Sequence, residues 1–324
     1  MKIGIPRALL YFYYGPFWES FFKRLGLNVV ISDSTNKAII NRGIKVAVPE
    51  ICVPIKILAG HYLTLAQQNV DYIFVPRMVS IRKRQFFCPK FMGLPDMVKH
   101  SLNFKEKILT CDVVSDNSNI SNYRNYLPLA EKLGKTKKDI KIAAQEAEKD
   151  WLQFRKFTQL GYPAPKAYEL MVKGLNPVKI NPKPGQIRIG LLGYVYNMYD
   201  PYISLGIFDI LQENNVHVTT FDMFSENELR NVTGNMSKVL FWTFSNYLLE
   251  AGLHLFNSDQ VDGIIHLTAF GCGPDSFLGK LFELESEKKG IPFMTVRVDE
   301  HTGENHLVTR VEAFTDMLKR SKAV

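Results

Sequence analysis

At 324 residues the chain is long enough for two domains of ordinary size, and its 46% hydrophobic and 22% charged residues are the proportions of a globular protein. No run of 18 apolar residues occurs, which excludes a helical membrane span, and the opening Met1-Lys2-Ile3-Gly4-Ile5-Pro6-Arg7 lacks the apolar core and cleavage site of a secretion signal, so the expected compartment is cytoplasmic. Forty Lys and Arg against 32 Asp and Glu leave a net charge of +8, too mild for nucleic-acid binding but suited to an anionic small molecule such as an acyl-CoA or nucleotide, or to an acidic electron carrier.

In chain order, the hydrophobic pattern predicts a strand at 2–5, a helix at 17–25, a strand at 28–31, a helix at 37–42 and a third strand at 46–48. A helix at 54–68, a strand at 71–76, a helix at 94–101 and a strand at 107–110 complete a first unit, residues 1–120. Strands separated by helices imply an α/β fold with a doubly wound parallel sheet. The basic run from Arg77 to Arg84 reads equally as a solvated loop or as an attractor of anions. Residues 121–186 read as a helical connector ending in a Pro- and Gly-rich linker. A second alternating series fills 187–324: strands at 188–192, 217–221, 263–269 and 293–298, with helices at 201–214, 241–255, 276–289 and 309–320. The expectation is two Rossmann-like domains of similar architecture and no visible sequence repeat.

Four cysteines, at 52, 88, 111 and 272, form no Cys-x-x-Cys pair, which excludes a zinc ribbon or a ferredoxin-type cluster loop. Without a secretion signal they are expected as thiols or metal ligands rather than disulfides. Proline follows three of them closely: Cys52-Val53-Pro54, Cys88-Pro89 and Cys272-Gly273-Pro274. Pro54 and Pro274 start predicted helices, and proline suits the first helical turn. A thiol there faces free backbone N–H groups and the positive end of the helix dipole, which favours the thiolate that binds metal. Cys52 and Cys272 also follow predicted strands, at the sheet edge where α/β proteins hold ligands. Three thiolates from distant segments suit an iron–sulfur cluster with one open iron, and three unrelated core cysteines is the competing reading. Cys111, with no such turn, reads as buried filler. Gly271-Cys272-Gly273 opens like a dinucleotide fingerprint, but Ser276 occupies its third glycine position, and no P-loop occurs.

Several segments resemble one family: Ile3-Gly4-Ile5-Pro6-Arg7-Ala8-Leu9; Pro49-Glu50-Ile51-Cys52-Val53-Pro54; Cys88-Pro89-Lys90 with Gly93-Leu94-Pro95-Asp96; Gly190-Leu191-Leu192-Gly193-x-x-Tyr196-Asn197-x-x-Asp200; Phe270-Gly271-Cys272-Gly273-Pro274-Asp275-Ser276; and Asp299 to Glu304 with Thr309-Arg310-x-Glu312-Ala313-Phe314-x-Asp316. It is the acyl-CoA dehydratase activase-related family, allied to the 2-hydroxyacyl-CoA dehydratase, benzoyl-CoA reductase and double-cubane cluster proteins. The resemblance covers nearly the whole chain and is weakest in the connector. It implies Rossmann-like domains, one 4Fe–4S cubane held by Cys52, Cys88 and Cys272, and an ATP-hydrolysing activase or low-potential donor as electron source. It also implies pairing of subunits, as a homodimer or as a heterodimer with a dehydratase-like subunit, in anaerobic electron transfer or reductase/dehydratase chemistry. Three cysteines cannot hold a double cubane, and the activase's own ATP-binding domain has no counterpart. A cluster-free subunit or small-molecule binding protein of the same fold is the alternative.

Beyond the cysteines, Glu300, His301 and Glu304 follow the strand at 293–298 and are candidates for proton delivery, with loop bonding and helix capping as the structural reading. Asn197 and Asp200 are expected to orient a ligand or simply to start a helix. Phe241, Trp242, Phe244 and Tyr247 read as a core stripe. Tyr11, Tyr13, Tyr14, Phe17 and Trp18 read as the lining of a pocket or of a subunit contact.

Overall fold

A computed structural model describes residues 1–102, 107–229, 232 and 240–322. They form two compact units, the first comprising 1–154 with 240–243, and the second 155–239 with 244–324. The first is built on β1 (Lys2–Ile5), β2 (Asn28–Ile31), β3 (Tyr72–Phe74) and β5 (Ile108–Leu109), all parallel in the order β2-β1-β3-β5. Between β3 and β5 in the chain lies β4 (Arg77–Ser80), which pairs in parallel with β6 (Asp112–Val114) in a separate two-stranded sheet. The second unit is built on β7 (Ile187–Leu192), β8 (Val216–Thr220), β9 (Gly263–Ala269) and β10 (Phe293–Val298), parallel in the order β10-β9-β7-β8. Numbered within each unit, both main sheets run 2-1-3-4. The strand order therefore reverses between β1 and β3 in the first unit and between β7 and β9 in the second, and ligands of open α/β sheets bind at the C-terminal edge of such reversals.

Burial explains the first sheet. Helix α1 (Tyr11–Arg24) lays Tyr14, Phe17, Phe21 and Phe22 against it with none exposed, and Phe22 meets Phe74 of β3 edge to face at 5.0 Å between ring centroids. Each ring so buried contributes about 1.5–3 kcal/mol. Tyr11, Tyr13, Tyr14, Phe17 and Trp18 are thus core residues of the first unit, and Trp18 also lines a small apolar cavity with Ile5, Leu58 and Phe74. The strand predicted at 46–48 is absent. Helix α2 instead runs Lys37–Val46, because Asn36 caps it through Ala38 N and Ile39 N and Gly43 lets it press on α3 (Val53–Ala66). A Cβ on Gly43 would fall 1.8 Å from the Lys56 carbonyl oxygen, and one on Gly60 would fall 2.0 Å from that of Ile39.

The segment 121–186 divides between the units. The helix Lys137–Gln159 is anchored in the first past its midpoint, through Trp151 Nε1 to Tyr13 O (2.9 Å) and Ser20 Oγ to Asp150 Oδ2 (2.6 Å). From Arg155 onward it belongs to the second, where the Arg155 guanidinium donates to Asp222 O at 2.5 Å and to Thr158 Oγ1 at 2.7 Å. Strand β9 is buried along its whole length, as a central parallel strand must be. The helix predicted at 201–214 is split into Pro201–Ser204 and Ile207–Glu213, because Leu205 and Gly206 both take left-handed backbone. In the expected stripe at 241–247, Phe244 and Tyr247 are buried, whereas Phe241 is 55% exposed and stacks on Phe86. Among the described residues no helix is long and apolar enough to cross a membrane.

Candidate functional site

Three of the four cysteines occupy one local setting. Cys52 is the N-cap of α3, Cys88 is the N-cap of α4 (Pro89–Met92), and Cys272 is the N-cap of the helix Gly273–Lys289. Each helix carries proline in its first turn, which leaves the cap position extended and the N-terminal N–H groups open. Gly271, at φ +76°, makes the turn out of β9 that presents Cys272, a conformation glycine adopts without strain. None of the cysteines is in a disulfide.

Within the first unit, Cys52 lies near enough to Cys88 for its charge to act on that thiol. The Cys88 thiol is pushed up from its ordinary pKa chiefly by burial, and Cys52 adds to the rise. The N–H groups of Phe91 and Lys90 and the Lys90 charge work against that rise, so the helix start does favour the anion, but burial outweighs it. The turn is braced from below: Arg77 of β4 donates to Met92 O at 2.5 Å and to Asp96 Oδ2 at 2.8 Å, and its Nε to Asp112 Oδ1 at 3.0 Å. The leading residue of the basic run is therefore an ion-paired strand residue at the base of the cysteine turn, and Lys83 and Arg84 are its exposed charges.

Cys272 lies in the second unit, at the C-terminal edge of its own sheet and beside the reversal between β7 and β9. The first turn of its helix is tied to β9 by Asp275, whose Oδ1 lies 3.0 Å from His266 Nε2, both residues being fully buried. Asn197, just past β7, is fully buried with neither amide atom hydrogen-bonded, and the second oxygen of Asp275, His266 Nδ1 and Thr268 Oγ1 are likewise without partners. Asp200 caps the helix Pro201–Ser204 through Tyr202 N and Ile203 N, so its role is that of a helix start. Cys111 is buried on β6's approach, and burial drives its thiol pKa far upward, which fits filler. His301 is exposed, its backbone N–H held by Asp299, Glu300 offers its carbonyl to Tyr202, and Glu304 begins the last helix. Among the described residues no group of three or more His, Cys, Asp or Glu side chains is assembled for an ion.

Two features escaped the sequence reading. Fully buried His61 on α3 spans Ser32 Oγ and Thr35 Oγ1, each at 2.8 Å. In the neutral ring one nitrogen donates to its hydroxyl and the other accepts from the second, so both are satisfied. The second unit also has a polar pocket of about 340 Å3 lined by Lys179, Arg188, His217, Thr219, Glu228 and Asp259. Arg188 and His217 stand second in β7 and β8, at the sheet end away from Cys272. Neither feature has a sequence signature, since both are assembled from isolated polar residues on separate elements.

Two parallel α/β sheets of one topology, with three cysteines placed at helix starts, define a two-unit, Rossmann-like thiol protein. The family described as CoA enzyme activase uncharacterised domain (DUF2229) matches residues 2–224, and the chain belongs to it. Residues 162–318 are similar to the 2-hydroxyglutaryl-CoA dehydratase, D-component. No curated protein matches.

Proposed function

We propose that the chain is the cluster-holding component of an electron-transfer or reductase/dehydratase-like system and works with a partner subunit or an ATP-dependent activase. The observation that carries this is the triple placement of cysteine as a proline-flanked helix N-cap, two of the three, Cys52 and Cys88, lying in the first unit. Support comes from the dehydratase and activase families that the chain matches. The donor set fits a cubane: three thiols outside disulfides, with backbone N–H groups aimed at the cap. Cys52, Cys88 and Cys272 would hold it, and a 4Fe–4S cubane supplies a centre that accepts and passes on one electron. The chain's own part is to orient the thiols. N–H groups of Lys90 and Phe91 stabilise sulfur charge, Arg77 fixes the turn, and exposed Lys83 and Arg84 with Lys90 attract an anionic donor or acyl-CoA. A homodimer or a heterodimer with a dehydratase-like subunit is the expected assembly.

The test is iron and acid-labile sulfide per chain, with an electron paramagnetic resonance spectrum, on protein purified without oxygen. About four of each is expected, abolished by Cys52→Ser, Cys88→Ser or Cys272→Ser and retained by Cys111→Ser. Protein that takes up no iron on reconstitution, or that loses it with Cys111 and not with Cys88, overturns the assignment.

A further inference from the structure

Open α/β sheets hold ligands at the C-terminal edge of their strands, and Arg7 leaves that edge of the first sheet two places beyond the end of β1, on the side of β2. Its backbone N–H is fixed by Ser32 Oγ at 2.8 Å, which sets the direction from which the side chain leaves. The side chain is half-buried, and its Nε–H is sealed from solvent without an acceptor. Among the described residues the guanidinium has no ion pair and no hydrogen-bonded partner, while neither Nη nitrogen is sealed.

The groups whose titration feels this charge are both neutral. His61 is held unprotonated by burial and by Arg7 itself, and burial keeps the Tyr11 phenol protonated beside Glu19. The carboxylate of Glu19 is itself taken up, accepting the Tyr11 hydroxyl at 2.8 Å and pairing with Lys23 at 3.1 Å. A half-buried guanidinium beside neutral rings is a charge the fold leaves uncompensated, and its missing hydrogen bonds are a cost that a ligand can remove. A second observation marks the same loop. Leu9, a branched residue, is held at φ +53°, and strain of this kind collects where a loop is shaped for a ligand.

We propose that Arg7 grips an oxyanion, the carboxylate or phosphate group of a small ligand seated at the C-terminal edge of the first sheet. The Nη groups meet the arriving oxygens, and the planar fork allows two parallel hydrogen bonds. This does not depend on the cluster, since every residue invoked belongs to the first unit and none is a cysteine.

The test follows urea unfolding by tryptophan fluorescence, because Trp18, Trp151 and Trp242 all lie in the first unit. The protein purified without oxygen is titrated with inorganic phosphate in one arm and acetate in the other, with ionic strength matched by sodium chloride and iron measured alongside. In wild-type protein the unfolding midpoint rises saturably with at least one anion, and the arm that responds names the group. Arg7→Gln weakens that response at least about tenfold at unchanged iron content, while Arg7→Lys, with charge but no fork, falls between. A wild-type midpoint that ignores both anions, or one that responds equally in Arg7→Gln, overturns the proposal. Should Arg7→Gln fail to fold, Nε–H resonances of arginine-labelled wild-type protein decide it. One must shift saturably with the anion, and none shifting refutes the site.

Discussion

His61 makes the first unit sensitive to acid in a calculable way. Burial and the Arg7 charge hold its pKa down from 6.5 to about 4, and its two ring nitrogens are taken by Ser32 and Thr35. The unfolded chain accepts a proton near pH 6.5 that the native ring refuses until about pH 4. The contribution is therefore complete above pH 6.5 and drains away as pH falls through that window, at about 1.4 kcal/mol for each pH unit. Between about pH 8 and 4.5 the loss comes to roughly 2.5 kcal/mol. Carboxylates titrate in the same range, so the informative quantity is the difference from His61→Gln, which keeps hydrogen-bonding atoms but not the titration. With a urea slope of about 2 kcal/mol/M, the wild-type midpoint should fall about 1 M further than that of the variant. Tryptophan fluorescence reads it directly. Equal falls in the two proteins would refute a neutral, buried His61, whatever the variant's absolute stability.

Gly60→Ala should lower the same midpoint, since its Cβ would sit 2.0 Å from the Ile39 carbonyl oxygen, and overpacking of about 1–3 kcal/mol exceeds the helix preference of alanine, about 1 kcal/mol. Arg77→Met should release Met92 O, Asp96 and Asp112 together, and the Cys88 thiol should then react with a thiol reagent about tenfold faster as its turn opens more often. Arg155→Met leaves the buried carbonyl of Asp222 with the Thr158 hydroxyl but no charged donor, costing about 1.5–3 kcal/mol, read as faster amide hydrogen exchange in β8 with the tryptophan signal unmoved.

The parts legible in the sequence are those whose burial is set along the chain. β9 reads as a strand because all seven residues face apolar surroundings, and β1 because its inner positions do. The caps at Cys52 and Cys272 were legible for a local reason, a proline two residues beyond the thiol that starts a helix, whereas the four-residue helix after Cys88 was too short to show a period. β4 and β6 were hidden because a two-stranded sheet needs no apolar run, and Arg77 and Asp112 satisfy each other across it. The strand misread at 46–48 shows the opposite error, since Val46 is apolar for contact within a helix whose length Gly43 and Gly60 decide. The Arg7, Ser32 and His61 cluster is invisible in one dimension, because its members are brought together only when β1, β2 and α3 pack.

The short segment 240–243 has a consequence for how the protein is made. It joins the first unit by strand-like bonds, Phe86 N to Phe241 O and Thr243 N to Phe86 O, both at 2.9 Å, next to the turn that ends in Cys88. A ribosome releases residues 1–154 well before it reaches this segment, by on the order of ten seconds at about 5–20 residues per second. During that interval the nascent first unit carries Phe86 without its closing partner. The turn before Cys88 is thus finished only when about half of the second unit has been synthesised, and cutting the chain at any single point cannot yield a complete first unit alone.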